Sequence, residues 1–131
     1  MIIDGELFTG AGQGAYFTQL EGYRRQFETK LGFTPFPGTV NLRVRTQEGL
    51  GALQRLRTLP GIPIDPWGGS TCGARCFRVR IGDRLLGGLV IPDETFYSED
   101  VLELMAPENV RQALGLADGD TVRVEILLEH G

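Results

Sequence analysis

Two segments of this chain carry residue types at spacings suited to phosphate and metal chemistry. The first is Thr9-Gly10-Ala11-Gly12-Gln13-Gly14-Ala15-Tyr16. Three glycines at alternate positions behind a strand let consecutive backbone N–H groups turn into one concavity, and the missing side chains allow an anion to approach closely. The spacing is G-x-G-x-G, not the G-x-G-x-x-G of dinucleotide-binding βαβ units. A glycine-rich bend at a barrel corner accounts for the same residues. The second segment is Pro35-Phe36-Pro37-Gly38-Thr39-Val40-Asn41-Leu42. Thr39 and Asn41 lie two apart on a strand, so their oxygens project from one face directly after a rigid loop. A hydroxyl and an amide carbonyl are hard, neutral ligands. They suit Mg²⁺ that keeps several waters and takes its negative ligands from nucleotide phosphates. The competing reading has the same two side chains satisfying loop backbone groups by hydrogen bonds.

Composition narrows the chemistry further. Twelve of the thirteen basic residues are arginine and one, Lys30, is lysine. No G-x-x-x-x-G-K-S/T loop can therefore be written, and any bound nucleotide is held without a Walker lysine. Seventeen carboxylates leave a net charge of −4, a poor match to duplex nucleic acid, which requires a concentrated basic surface. The one histidine, His130, precedes the last residue, where a positioned catalytic imidazole is not expected. Cys72 and Cys76 are too few for a disulfide framework and lack companions for a zinc tetrahedron; they read as structural thiols. No apolar run approaches the roughly 18 residues of a membrane span, and MIIDGELF has no basic region ahead of an apolar one. The expectation is a soluble, cytoplasmic protein with no nucleic-acid or membrane partner.

These groups must be positioned by a small frame. At 131 residues and 14.4 kDa the chain suits one domain, residues 1–131. Nineteen glycines and seven prolines exceed the usual share of roughly 12% and imply many turns and short strands. Alternation predicts a strand over 2–9, and Leu20, Tyr23, Phe27 and Leu31 predict a helix over about 21–31 that Gly32 ends. The cleanest alternation is 39–45, with Val40, Leu42 and Val44 on one side and Thr39, Asn41, Arg43 and Arg45 on the other. A second helix is expected over about 48–57, then a proline and glycine loop over 60–73 that holds Trp67. A hairpin follows over 76–81 and 85–91, then a strand over 101–105. Pro107 reads as the N1 residue of a helix reaching Leu114 and closed by Gly115. Asp118-Gly119 turns the chain into a last strand. Five or six short strands with two or three short helices cannot build a doubly wound parallel sheet. They fit a mainly β fold, a small closed barrel with helices at its ends.

Taken together, the chain resembles the CTP-dependent riboflavin kinases of archaea. The resemblance is carried by Gly10-x-Gly12-x-Gly14-x-Tyr16 and by Tyr23-x-x-x-Phe27-x-x-x-Leu31-Gly32-Phe33-x-Pro35-Phe36-Pro37-Gly38-Thr39-x-Asn41-Leu42. Toward the C-terminus it continues through Thr95, Leu102-Glu103-Leu104-Met105-Ala106-Pro107, Arg111-x-x-Leu114 and Leu116-x-Asp118-Gly119-Asp120-x-Val122. It implies a cradle-loop (RIFT-like) six-stranded β-barrel with short helices. The implied reaction moves the γ-phosphate of CTP onto the ribityl 5′-hydroxyl of riboflavin, giving FMN and CDP. By resemblance, Gly10, Ala11, Gly12, Gln13, Gly14 and Ala15 form the nucleotide-binding loop, and Glu108, Asn109, Val110 and Arg111 a further nucleotide-binding stretch. Thr39 and Asn41 correspond to ligands of one Mg²⁺ ion, and Thr95 and Glu103 to flavin-binding positions. Some members carry a DNA-binding helix-turn-helix region ahead of the barrel; none is expected here.

A loose phosphoryl transition state needs positioning and charge neutralisation more than covalent help. Without a Walker lysine, that charge falls to metal, backbone amides and arginine. Glu103 is the candidate general base, or else it holds a ribityl hydroxyl. Tyr16 or Phe36 could stack on a ring, with a core role favoured for Phe36. Two rival functions stand beside the kinase: a non-catalytic flavin- or nucleotide-binding barrel, and a barrel of the transcription-regulator type, which the acidic balance opposes.

Overall fold

Glycine-punctuated runs of alternating polarity give short strands, all paired antiparallel, some with the next strand in the chain and some with strands distant in sequence. A computed structural model describes residues 1–9, 20–68, 73–93 and 100–128. In chain order these form β1 (Ile2–Phe8), α1 (Glu21–Leu31), β2 (Val40–Arg43), α2 (Gln47–Leu56), β3 (Ile62–Ile64), β4 (Ala74–Ile81), β5 (Leu85–Pro92), β6 (Val101–Met105), α3 (Val110–Leu114) and β7 (Thr121–Ile126). The strands follow the order β3-β4-β5-β6-β2-β1-β7, and β7 returns to pair with β4. β4 makes closure possible because its length lets one edge serve two partners. Its first residues pair with β3 (Ile62↔Cys76) and its last with β7 (Val79↔Ile126), while β5 runs along the other edge. Six strands thus close into an antiparallel barrel with no free edge to template aggregation, and β3 is an outlying edge strand.

The barrel interior is filled by the residues that the period-2 alternation points inward. Leu42 lies opposite Leu7 on one side and Leu102 on the other, Leu104 opposite Leu89, and Ile3 opposite Val124; all seven are buried. A second apolar cluster covers part of the outer face. There α1 lays Tyr23, Phe27 and Leu31 against Ile64, Cys76 and Met105. Each such side chain removed from water contributes roughly 1.5–3 kcal/mol before entropy is counted. Gly32 ends α1 in the left-handed conformation, φ 87°, as glycine at a helix end does without steric cost.

The frame departs from the sequence expectations at three places. The expected loop over 60–73 contains β3. Pro63 reads as a strand breaker, but an edge strand leaves its missing N–H without consequence. The last helix begins at Val110, not at Pro107. Ala106 C=O accepts a hydrogen bond from Phe36 N–H at 2.7 Å, which keeps the chain extended there, and Asn109 supplies the cap by accepting from Gln112 N–H at 3.1 Å. β2 is shorter than 39–45, although Val44 N–H still donates to Asp100 C=O at 2.7 Å. Among the described residues no helix is long and apolar enough to cross a membrane.

Candidate functional site

The registers of five strand pairs place Phe8, Asn41, Glu103, Val90, Cys76 and Ile62 in one continuous row across the outer face. Directly opposed residues on neighbouring strands project to the same side, so these six are neighbours in turn. Four are apolar or a thiol, and Cys76, Val90 and Ile62 belong to the cluster under α1. The two polar members, Asn41 and Glu103, sit adjacent in the middle of the row.

That setting determines their electrostatics. Asn41 is only 4% exposed, and its Oδ1 is buried without a hydrogen-bond partner. An unpaired buried oxygen costs about 1–3 kcal/mol, and native structures retain few of them. Thr39, two residues earlier on the same face, donates its hydroxyl to Glu103 Oε1 at 3.0 Å. Burial pushes the Glu103 carboxyl above its ordinary value, and the Thr39 hydroxyl pulls partly the other way. The neighbouring Cys76 thiol is pushed up to about 12, first by burial and then by the Glu103 charge. Cys76 is therefore an inert, structural thiol.

Thr39 Oγ1, Asn41 Oδ1 and the Glu103 carboxylate form an oxygen-only donor set of the kind hard divalent cations take. The orphaned amide oxygen is the part of it that lacks a role in the fold. Among the described residues no group of three or more His, Cys, Asp or Glu side chains could hold a metal.

Two cavities flank this centre. A small one of about 130 Å³ is lined by Phe36, Pro37, Gly38, Thr39, Asn109 and Arg111 among others. A larger one of about 270 Å³ has Arg57, Arg75, Val90, Asp93 and Glu103 in its wall. The Thr39–Glu103 hydrogen bond links the wall of one to the wall of the other. Beyond the small cavity, Arg111 donates to Asp118 Oδ1 at 2.7 Å, while Thr9 Oγ1 donates to Asp118 Oδ2 at 2.8 Å. These two donors, Arg111 first, hold the Asp118 carboxyl below the usual carboxylate range. The clamp brings the residue that precedes the glycine-rich segment against the 108–111 stretch.

Of the residues singled out in the sequence, the structure brings Thr39, Asn41 and Glu103 into one cluster, and places Thr39 and residues 108–111 around one cavity. The side chain of Val110 is buried in the barrel core. Gly10, Ala11, Gly12, Gln13, Gly14, Ala15, Tyr16, Cys72, Thr95 and His130 lie outside the described residues. Phe36 is not a core residue: 42% of it is exposed, in the wall of the small cavity. Its backbone bond to Ala106 holds it outside, whereas the hydrophobic pattern alone pointed inward. The lone lysine has a structural duty, with Lys30 Nζ donating to Pro63 C=O at 2.6 Å and to Gln26 Oε1 at 3.0 Å. Sequence reasoning missed Asp118 as the anchor of Arg111, and Arg57 and Arg75 as cavity residues. Nothing in their local spacing signals these contacts.

The family model for the CTP-dependent riboflavin kinase domain (CTP-dep_RFKase, domain of unknown function DUF120) matches residues 7–126. The chain is 46% identical over 127 residues to a riboflavin kinase of Pyrobaculum calidifontis, covering 95% of this chain and 59% of that protein. It is 44% identical over 129 residues to a riboflavin kinase of Archaeoglobus fulgidus, covering 96% and 54%. With a riboflavin kinase of Methanosarcina mazei it shares 41% over 128 residues, covering 95% and 56%. The chain thus spans a little over half the length of these relatives. A match over nearly the whole chain, on a six-stranded barrel that carries the paired Thr39 and Asn41, means that it belongs to the CTP-dependent riboflavin kinase family.

Proposed function

We propose that this chain is a Mg²⁺-dependent riboflavin kinase that transfers the γ-phosphate of CTP to the ribityl 5′-hydroxyl of riboflavin, giving FMN and CDP. The observation that carries the reading is Asn41 Oδ1, a buried oxygen without a partner beside Thr39 and Glu103. A fold that only needed to fill that position would use an apolar residue. An oxygen left open there is suited to a cation. Thr39 Oγ1 and Asn41 Oδ1 are the proposed ligands. A Mg²⁺ ion held by them would neutralise charge on the phosphates of the donor.

The chain's own residues have distinct roles in this reading. The backbone N–H groups of Gly10–Ala15 and the 108–111 stretch bind the triphosphate donor, with Thr39 in the wall of the small cavity. Riboflavin occupies the larger cavity, so its 5′-hydroxyl meets Glu103, and the family resemblance adds Thr95 as a further flavin position. Thr39 engages Glu103 Oε1, and Oε2 accepts the hydroxyl proton as the new O–P bond forms. The bond between the γ-phosphorus and the bridging oxygen breaks, and its electron pair leaves with CDP. Burial raises the basicity of Glu103, and the covered face keeps water from competing as acceptor. The names of the relatives support riboflavin as acceptor, and the family name supports CTP as donor.

The test is incubation of the purified chain with riboflavin, Mg²⁺ and each of the four nucleoside triphosphates, followed by chromatographic resolution of FMN. FMN with CTP in excess over the other donors is expected. Absence of FMN with every donor overturns the proposal.

A further inference from the structure

We infer that Phe36 is the stacking platform for the nucleobase of the triphosphate donor, an assignment that rests on the kinase reading above. Among the described residues Phe36 is the only aromatic side chain in the wall of the small cavity, and it keeps 42% of its surface exposed. Its place in a cavity wall presents an exposed ring face on which a planar group can stack. The segment is rigid: Pro35 and Pro37 fix their own φ, and Phe36 N–H is bonded to Ala106 C=O at 2.7 Å. The backbone that carries the ring is thus ordered before ligand arrives, and stacking costs little further entropy.

The size and walls of the cavity select the kind of ring. At about 130 Å³ it has half the volume of the larger cavity, at about 270 Å³. A single-ring base suits it better than the three fused rings of a flavin. Thr39 in the same wall places the proposed phosphate and metal locus beside it. Asn109, in the same wall, uses its carbonyl oxygen to cap α3, so its amide N–H₂ is the group it can offer a base. Every base has a π face, so Phe36 contributes affinity, and the polar groups of the wall contribute choice among bases.

The experiment is calorimetric titration of wild type and Phe36→Ala with CDP plus Mg²⁺, and with tripolyphosphate plus Mg²⁺, which has no base. Loss of one stacked base is expected to weaken CDP binding by about 5- to 150-fold. Tripolyphosphate affinity, the riboflavin KM and the thermal midpoint should stay unchanged, and Phe36→Trp should retain CDP affinity. Equal CDP binding in wild type and Phe36→Ala overturns the assignment, as does a rise confined to the riboflavin KM or a lowered thermal midpoint. Wild type that binds CDP but makes no FMN sinks the kinase reading and still leaves the Phe36 comparison decisive. Wild type that does not bind CDP sinks both.

Discussion

Replacing Asn41 by leucine should make the ligand-free protein more stable while it destroys function. Asn41 is 4% exposed, with an oxygen that no group in the fold satisfies. Leucine has nearly the same shape without the polar atoms, so the substitution removes the desolvation penalty without opening a cavity. That penalty is about 1–3 kcal/mol for a buried neutral acceptor. A domain between the 100- and 150-residue classes gains about 3–5 °C per kcal/mol. Taking about 1–2 kcal/mol to allow for imperfect packing of the branched side chain, the midpoint in chelator should rise by about 3–10 °C.

Ligand should reverse the order. With Mg²⁺ and CDP at a hundred times their dissociation constant, wild type gains about 2.7 kcal/mol by mass action, and a variant that cannot complete the site gains far less. Scanning calorimetry of both proteins, with chelator and with Mg²⁺·CDP, reads both effects. An Asn41→Leu protein less stable than wild type in chelator would mean that the amide oxygen already has a structural partner. Ligand stabilisation undiminished in the variant would remove Asn41 from the metal site. Either result refutes the reasoning.

Glu103→Gln tests the proton acceptor. Burial holds the Glu103 carboxyl above its ordinary value, so the acid limb of kcat/KM should lie above the usual carboxylate range, and the variant should lose that limb and about 10²–10⁴-fold in rate. The linkage sign follows from the same shift. The folded state binds this proton more tightly than the unfolded one, so the contribution is present at low pH and lost as pH rises through the folded pKa. Glu103→Gln should therefore be at least as stable as wild type at neutral pH; an unchanged acid limb or a marked loss of stability there would contradict the assignment. Gly22→Ala should move Trp67, whose ring lies where the new methyl would be. Since Trp67 is the only tryptophan, its emission should shift to longer wavelength. The helix-propensity gain of about 1 kcal/mol offsets the lost packing and leaves the midpoint little changed; unaltered emission would show that the ring does not rest on α1.

The strands were legible because one face of each is buried, and a period of two records that directly in the residues: Ile3, Gly5 and Leu7 of β1 all point inward. The pairing of Thr39 with Asn41 was legible for the same reason, since two residues on one face need no knowledge of the partner strands. What surrounds them was not. Asn41 and Glu103 are brought together by a register row that draws single residues from six strands, with α1 laid over the Val90, Cys76 and Ile62 end of it. None of those distances is local. Phe36 shows the converse failure: hydrophobic type pointed to the core, but a backbone bond to Ala106 and two flanking prolines decided its place. Position in the row also separates fold from function. Along it, Val90, Cys76 and Ile62 do what the covered face of a barrel requires. Asn41 and Glu103 do not, and each sits at a cost in desolvation that an apolar pair would avoid. That local cost sits at two adjacent residues between two cavities, where the proposed phosphoryl transfer needs an open oxygen and a basic carboxylate.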